Sequence, residues 1–176
     1  GVLLLAMVST RLIESLQKLR SLEPDLRLGW TFPKTRRDWT SHRSVLPVLK
    51  VALAAMRRQL PRAIPERVSQ LGLSAIWAYH HVITPRAVEA AHEAGAELIA
   101  WTVDDAGRMA ELIEMGVDGL VSNDPRLFAQ AERAARGDAP KPEPAEGDVV
   151  EELDEEAEPA AEERPPAAQP APEERS

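Results

Sequence analysis

TPRAVEAAHEAGAELIAWTVDDAGRMAELIEMGVDGLVSNDP, from Thr84 to Pro125, is the stretch whose reading decides the fold. Thr84-Pro85 is an N-cap followed by a proline at the first helical position, where the missing N–H is not needed and φ is already helical. The helix it starts runs to Ala94, and Gly95 ends it. Glu97 to Val103 is an apolar run of strand length. Asp104 or Asp105 then caps a helix to Met115, with Gly116 as its stop. Val117 to Ser122 is the next strand, and Asn123-Asp124-Pro125 repeats the cap-and-proline start for a last helix to about Ala135. Strands and helices alternating in this way require a parallel sheet, because each strand must be followed by a crossover.

The alternation continues upstream. Leu73 to Tyr79 reads as a strand. Before it, Val45 to Leu60 reads as a helix with apolar positions Leu49, Val51, Leu53 and Met56, and with Pro47 tolerated near its first turn. Pro61 and Pro65 are expected to break that helix ahead of a short one reaching Leu71. Lys34 to Arg43 is polar and basic and reads as a loop. Leu26 to Thr31 is a strand closed by Pro33; Leu12, Leu16, Leu19 and Leu22 recur at helical spacing up to Pro24; Gly1 to Ser9 reads as a buried strand. No glycine-rich loop follows the first strand, which removes the main support for an open dinucleotide-binding sheet. A (β/α)8 barrel needs eight strands and commonly about 250 residues. The five strands here are therefore expected to form a partial barrel.

Composition divides the 176 residues in two. From Gly137 onward the net charge is -11, with 8 of the 15 prolines and no aromatic residue, whereas the whole chain carries -8. The body is thus mildly basic, which suits a small anionic substrate and is too weak for nucleic acid. The expected division is 1–135 as the folded part and 136–176 as a disordered acidic tail, solubilising or acting as a tether, since it cannot bury enough apolar surface to offset the entropy of ordering it. The absence of cysteine excludes disulfides and thiolate chemistry and is compatible with the cytoplasm. No apolar run approaches the roughly 18–20 residues that span a bilayer. Starting at Gly1 rather than Met, the chain is expected to be a fragment or a processed product.

Three blocks in order, TPRAVEAAHEAG from Thr84 to Gly95, WTVD from Trp101 to Asp104 and GVDGLVSNDP from Gly116 to Pro125, resemble the last part of the glycerophosphodiester phosphodiesterase barrel, and Leu19 to Gly29 resembles it more loosely. Many members end the first of these strands in Ser-Phe; Ala6-Met7-Val8-Ser9-Thr10 lacks the phenylalanine. The resemblance covers about Val2 to Phe128 as strands four to eight of a TIM barrel. It implies hydrolysis of a glycerophosphodiester to glycerol 3-phosphate and an alcohol, with a divalent metal (Ca or Mg) and two histidines as acid and base. The family carries that chemistry on strands one to three, in a His-Arg-Gly, a Glu-x-Asp and a His-Asp. No such motif stands at a strand end here, and His42-Arg43 is followed by serine in a polar loop. The isolated chain is therefore expected to be inactive, with no catalytic or metal residues of its own.

What remains is the pocket wall. Barrel enzymes place functional groups at the carboxyl ends of strands. That puts Trp30, Thr31, Phe32, Tyr79, His80, His81, Trp101, Thr102, Asp104, Ser122 and Asn123 near the mouth. Substrate contact is assigned to Trp101, His81 and Trp30. An indole offers an apolar wall and one N–H. As strand residues, His80 and His81 should point to opposite faces, so only one can face the interior. Asp104 is read as a helix cap, His92 as a link between helix and strand, and Asp118 as fixing the approach to the last strand. Glu14, Glu66, Glu89, Glu93, Glu111 and Glu114 fall on solvated helix faces. A rival reading is a non-catalytic half-barrel whose exposed sheet edges drive self-association or pairing with another chain.

Overall fold

The computed structural model describes residues 6–33 and 46–138. The loop expected at Lys34–Arg43, His42-Arg43 within it, and the acidic tail beyond Asp138 lie outside the described residues. The elements run β1 (Met7–Thr10), α1 (Ile13–Leu22), β2 (Arg27–Phe32), α2 (Leu46–Leu71), β3 (Ala75–Tyr79), a 3₁₀ turn (His80–Val82), α3 (Pro85–Glu93), β4 (Glu97–Trp101), α4 (Ala106–Met115), β5 (Gly119–Leu120) and α5 (Leu127–Ala135).

The five strands are parallel and lie in chain order, β1-β2-β3-β4-β5. Right-handed crossovers that always step the same way put every helix on one face of the sheet. A doubly wound sheet would reverse direction; this one is an arc of a (β/α) barrel. The register assigns the faces. Trp30, Ile76 and Leu98 align across the sheet, as do Phe32, Ala78, Ala100 and Leu120, and all but half-buried Leu120 are buried under the helices. One residue out of phase, Thr31, Trp77, Ile99 and Gly119 align, with Tyr79 beside Trp101, and these positions are half-buried on the inner face.

The starts of α3 and α4 follow the local chemistry of their caps, whereas α5 begins at Leu127, with no side-chain cap, and not at the expected Asn123-Asp124-Pro125. The Thr84 hydroxyl accepts from the N–H of Ala87 at 3.3 Å. Asp105 accepts from the N–H of Arg108 at 2.6 Å, and Gly116 closes α4 at φ 87°, a left-handed conformation that favours glycine. The break expected at Pro61 and Pro65 is absent: α2 is continuous through both. Each interior proline costs about 3 kcal/mol, but Leu53, Leu60, Ile64, Val68 and Leu71 form a buried stripe through the same segment, each worth roughly 1.5–3 kcal/mol. Val51, expected in that stripe, is exposed. The helix read from the spaced leucines forms as α1, with only Leu16 of the four fully buried and Leu12 and Leu22 facing solvent. Arg20 ties α1 to the sheet instead: its guanidinium donates to the carbonyls of Leu71 at 3.2 Å, Gly72 at 2.6 Å and Leu26 at 3.0 Å. These bonds satisfy acceptors left open where α2 ends.

Candidate active site

Strands β3, β4 and β5 end side by side, and the segments leaving them form the mouth. After Tyr79 the chain turns into a 3₁₀ helix rather than continuing extended. Successive residues there advance by about 120° rather than 180°. The opposed pointing expected for His80 and His81 is accordingly wrong. Their rings lie together with centroids 3.9 Å apart, and both side chains are buried, the only buried polar ones among the described residues. The Tyr79 ring is 4.9 Å from His80, 5.2 Å from His81 and 6.0 Å from Trp101. Four rings thus line one end of the inner face.

Two arginines hold this turn from neighbouring helices. Arg57 Nε of α2 donates to the His81 carbonyl at 2.8 Å, and Arg108 Nη2 of α4 donates to the His80 carbonyl at 2.8 Å. The Arg108 side chain is only 10% exposed and also pairs with Glu111 at 2.8 Å. Neither arginine was recognised from the sequence. No motif marks them, because they act on backbone 24 and 28 residues away.

The loop after β4 is tied to the loop after β5 by Asp104. Its carboxylate accepts from the Ser122 hydroxyl at 2.9 Å, the Asn123 N–H at 2.7 Å and the Asn123 amide at 2.7 Å. It is not the α4 cap; Asp105 is. Burial pushes the Asp104 carboxyl up, but the Asn123 and Ser122 donors, with the positive field of His80, outweigh it and hold the group below its ordinary value. Asp124 is held at about 2 by the Arg126 guanidinium and the Arg126 N–H. Asp118 accepts from Leu98 N–H at 2.7 Å and meets His92 Nε2 at 2.9 Å, so both residues join α3, β4 and the approach to β5 as the sequence suggested.

The assigned contact residues separate. Trp101 lies on the inner face at the end of β4, and its indole N–H is buried without an acceptor among the described residues. His81 sits in the buried turn beside it. Trp30 faces the helices: its ring packs at 5.4 Å on Phe32 and under the Arg67 guanidinium at 5.9 Å. Thr31 is the neighbouring residue of β2 that faces inward. Trp77 was missed, although counting back two residues from Tyr79 would have placed it on the same face. A Cβ at Gly29 would come within 2.7 Å of its Nε1, so the indole lies directly over that glycine.

A divalent metal does not fit the residues seen here. Among the described residues no three His, Asp or Glu side chains converge on one point, as an oxygen-ligated ion requires. The mouth carboxylates are engaged by protein donors.

Consecutive parallel strands, helices on one face and polar groups gathered at the carboxyl ends define the class: a segment of a (β/α)-barrel. Within it, the chain belongs to the glycerophosphoryl diester phosphodiesterase family, whose model matches residues 5–127. It is 37% identical over 57 residues to glycerophosphodiester phosphodiesterase GDPD4 of Arabidopsis thaliana, a match covering 32% of this chain and 17% of that protein. Over 42 residues it is 45% identical to probable glycerophosphodiester phosphodiesterase 2 of Mycobacterium tuberculosis, covering 24% of this chain and 16% of the relative. A phosphodiesterase from Oleispira antarctica, solved with the product sn-glycerol-3-phosphate, shares the fold at TM-score 0.51 and 17% identity, over 72% of this chain and 41% of that one. The matches thus span well under half the length of these proteins. No helix among the described residues is long and apolar enough to cross a membrane.

Proposed function

We propose that this chain serves the hydrolysis of a glycerophosphodiester to glycerol 3-phosphate and an alcohol, and that it supplies walls of the substrate pocket rather than the hydrolytic groups. The placement of Trp101 in a chain of this family carries the reading. Its ring ends the inner face of β4 beside Tyr79 and the His80–His81 pair. There its half-buried ring offers glycerol an apolar wall. His81 adds an imidazole from the buried turn beside it as a hydrogen-bonding group toward phosphate. Trp30 supports the pocket from behind, through the packing of β2 on α2.

Titrating purified Gly1–Ser176 protein with sn-glycerol 3-phosphate, followed by tryptophan fluorescence, tests the binding role. Saturable quenching is expected, and Trp101→Phe should weaken it about tenfold, or 1.4 kcal/mol. Absence of saturable quenching would refute the pocket assignment. The same reading predicts no release of glycerol 3-phosphate from glycerophosphocholine with Mg²⁺ or Ca²⁺ present. A rate abolished by chelator would overturn the division of labour.

The half-buried inner face favours a second reading. Trp77, Tyr79, Ile99 and Trp101 are only half-buried, and among the described residues β1 and β5 each pair on one side only. Such a surface suits a non-catalytic module that docks another chain.

A further inference from the structure

A 3₁₀ turn leaves carbonyls without regular partners. At His80–Val82 the His80 carbonyl receives a long bond from Ile83 N–H at 3.3 Å and a shorter one from Arg108 at 2.8 Å; the His81 carbonyl receives Arg57 at 2.8 Å. The two guanidiniums come from α2 and α4, on either side of the helix that follows the turn. Arg108 is itself fixed twice, by Glu111 through its side chain and by Asp105 through its N–H. Burying a guanidinium is costly, and an aliphatic side chain would pack the same space. Using two of them on consecutive carbonyls sets the height and rotation of the only two buried imidazoles among the described residues. We propose that Arg57 and Arg108 are positioning residues, clamping the His80–His81 turn so that its two adjoining rings are held against Tyr79 at the mouth. The inference deepens the function proposed above and rests on it for the claim that the rings meet substrate phosphate.

Carbon-13 and nitrogen-15 labelled histidine in the full chain gives the readout. Arg108→Lys and Arg57→Lys keep the charge and lose the guanidinium fork. Each should melt within a few degrees of the parent, displace the His80 and His81 ring resonances, and move their titration midpoints by about half a pH unit. Arg108→Gln removes the charge as well. If the lysine variants leave the rings unchanged and only Arg108→Gln shifts a midpoint, the arginines act through charge and the positioning role is overturned. Unfolding of a lysine variant overturns it too, because that arginine then serves the fold. Adding sn-glycerol 3-phosphate to the parent tests the other reading separately. Rings that ignore the ligand yet respond to the lysine variants leave the clamp standing and remove the phosphate role.

Discussion

The carboxylate of Asp104 accepts three hydrogen bonds from Ser122 and Asn123, and so decides how the two loops at the mouth sit beside one another. Its folded pKa lies below the ordinary 3.8. The bonds therefore stabilise the fold fully above that value and fade as pH falls through the folded pKa. Asp104→Ala should cost about 1 kcal/mol at pH 7, a charged hydrogen-bond figure reduced for exposure to solvent. Urea unfolding at pH 7 and pH 3 should show the gap to the parent protein narrowing at the lower pH. A constant gap would mean that ionisation contributes nothing. The adjacent Asp104-Asp105 pair also marks a limit of reading one residue at a time. Either could cap α4 by spacing, and only the position of the β5 loop assigns Asp104 elsewhere. Asp118 and His92 act on partners 20 and 26 residues away, and were legible because they fall in stretches that resemble the family.

Among the elements, α2 and β2 give the clearest tests. Pro65 sits inside a 26-residue helix without the N–H that would bond the carbonyl of Pro61. Pro65→Ala restores that bond and relieves the clash, partly offset by a more flexible unfolded chain. A gain of about 1–2 kcal/mol is expected in denaturant unfolding, and a loss would show that the prolines shape α2 usefully. Gly29 is extended, so its role is space and not backbone freedom. Gly29→Ala puts a methyl 2.7 Å from Trp77 Nε1 and 3.1 Å from the Ser9 Cβ. Overpacking of this kind costs roughly 1–3 kcal/mol, readable as a lower melting temperature with a changed tryptophan emission. The inner-face ladder from Thr31 through Trp77 to Ile99 transmits that displacement across three strands.

At the scale of the molecule, helices close one face of the sheet, and among the described residues the side chains of the other face stay half-buried. Size-exclusion chromatography with light scattering should report a species larger than one chain if the inner face and strand edges are covered by a second copy. A stable monomer with sharp thermal unfolding would count against the interaction reading. The sequence by itself determined the family, the parallel β/α alternation and the starts and glycine stops of α3 and α4, because caps, C-terminal glycines and two-residue alternation act over a few residues. It also placed Trp101 at the carboxyl end of β4. Only the tertiary structure decided that α2 runs through its prolines, that Trp30 belongs to the helix-side core, that the His80 and His81 rings lie together, and that Arg108 and Arg57 bond their carbonyls. The physical reason is reach. Burial along a 26-residue stripe and bonds between residues 24 and 28 apart depend on where the sheet brings distant segments, and no local pattern encodes that.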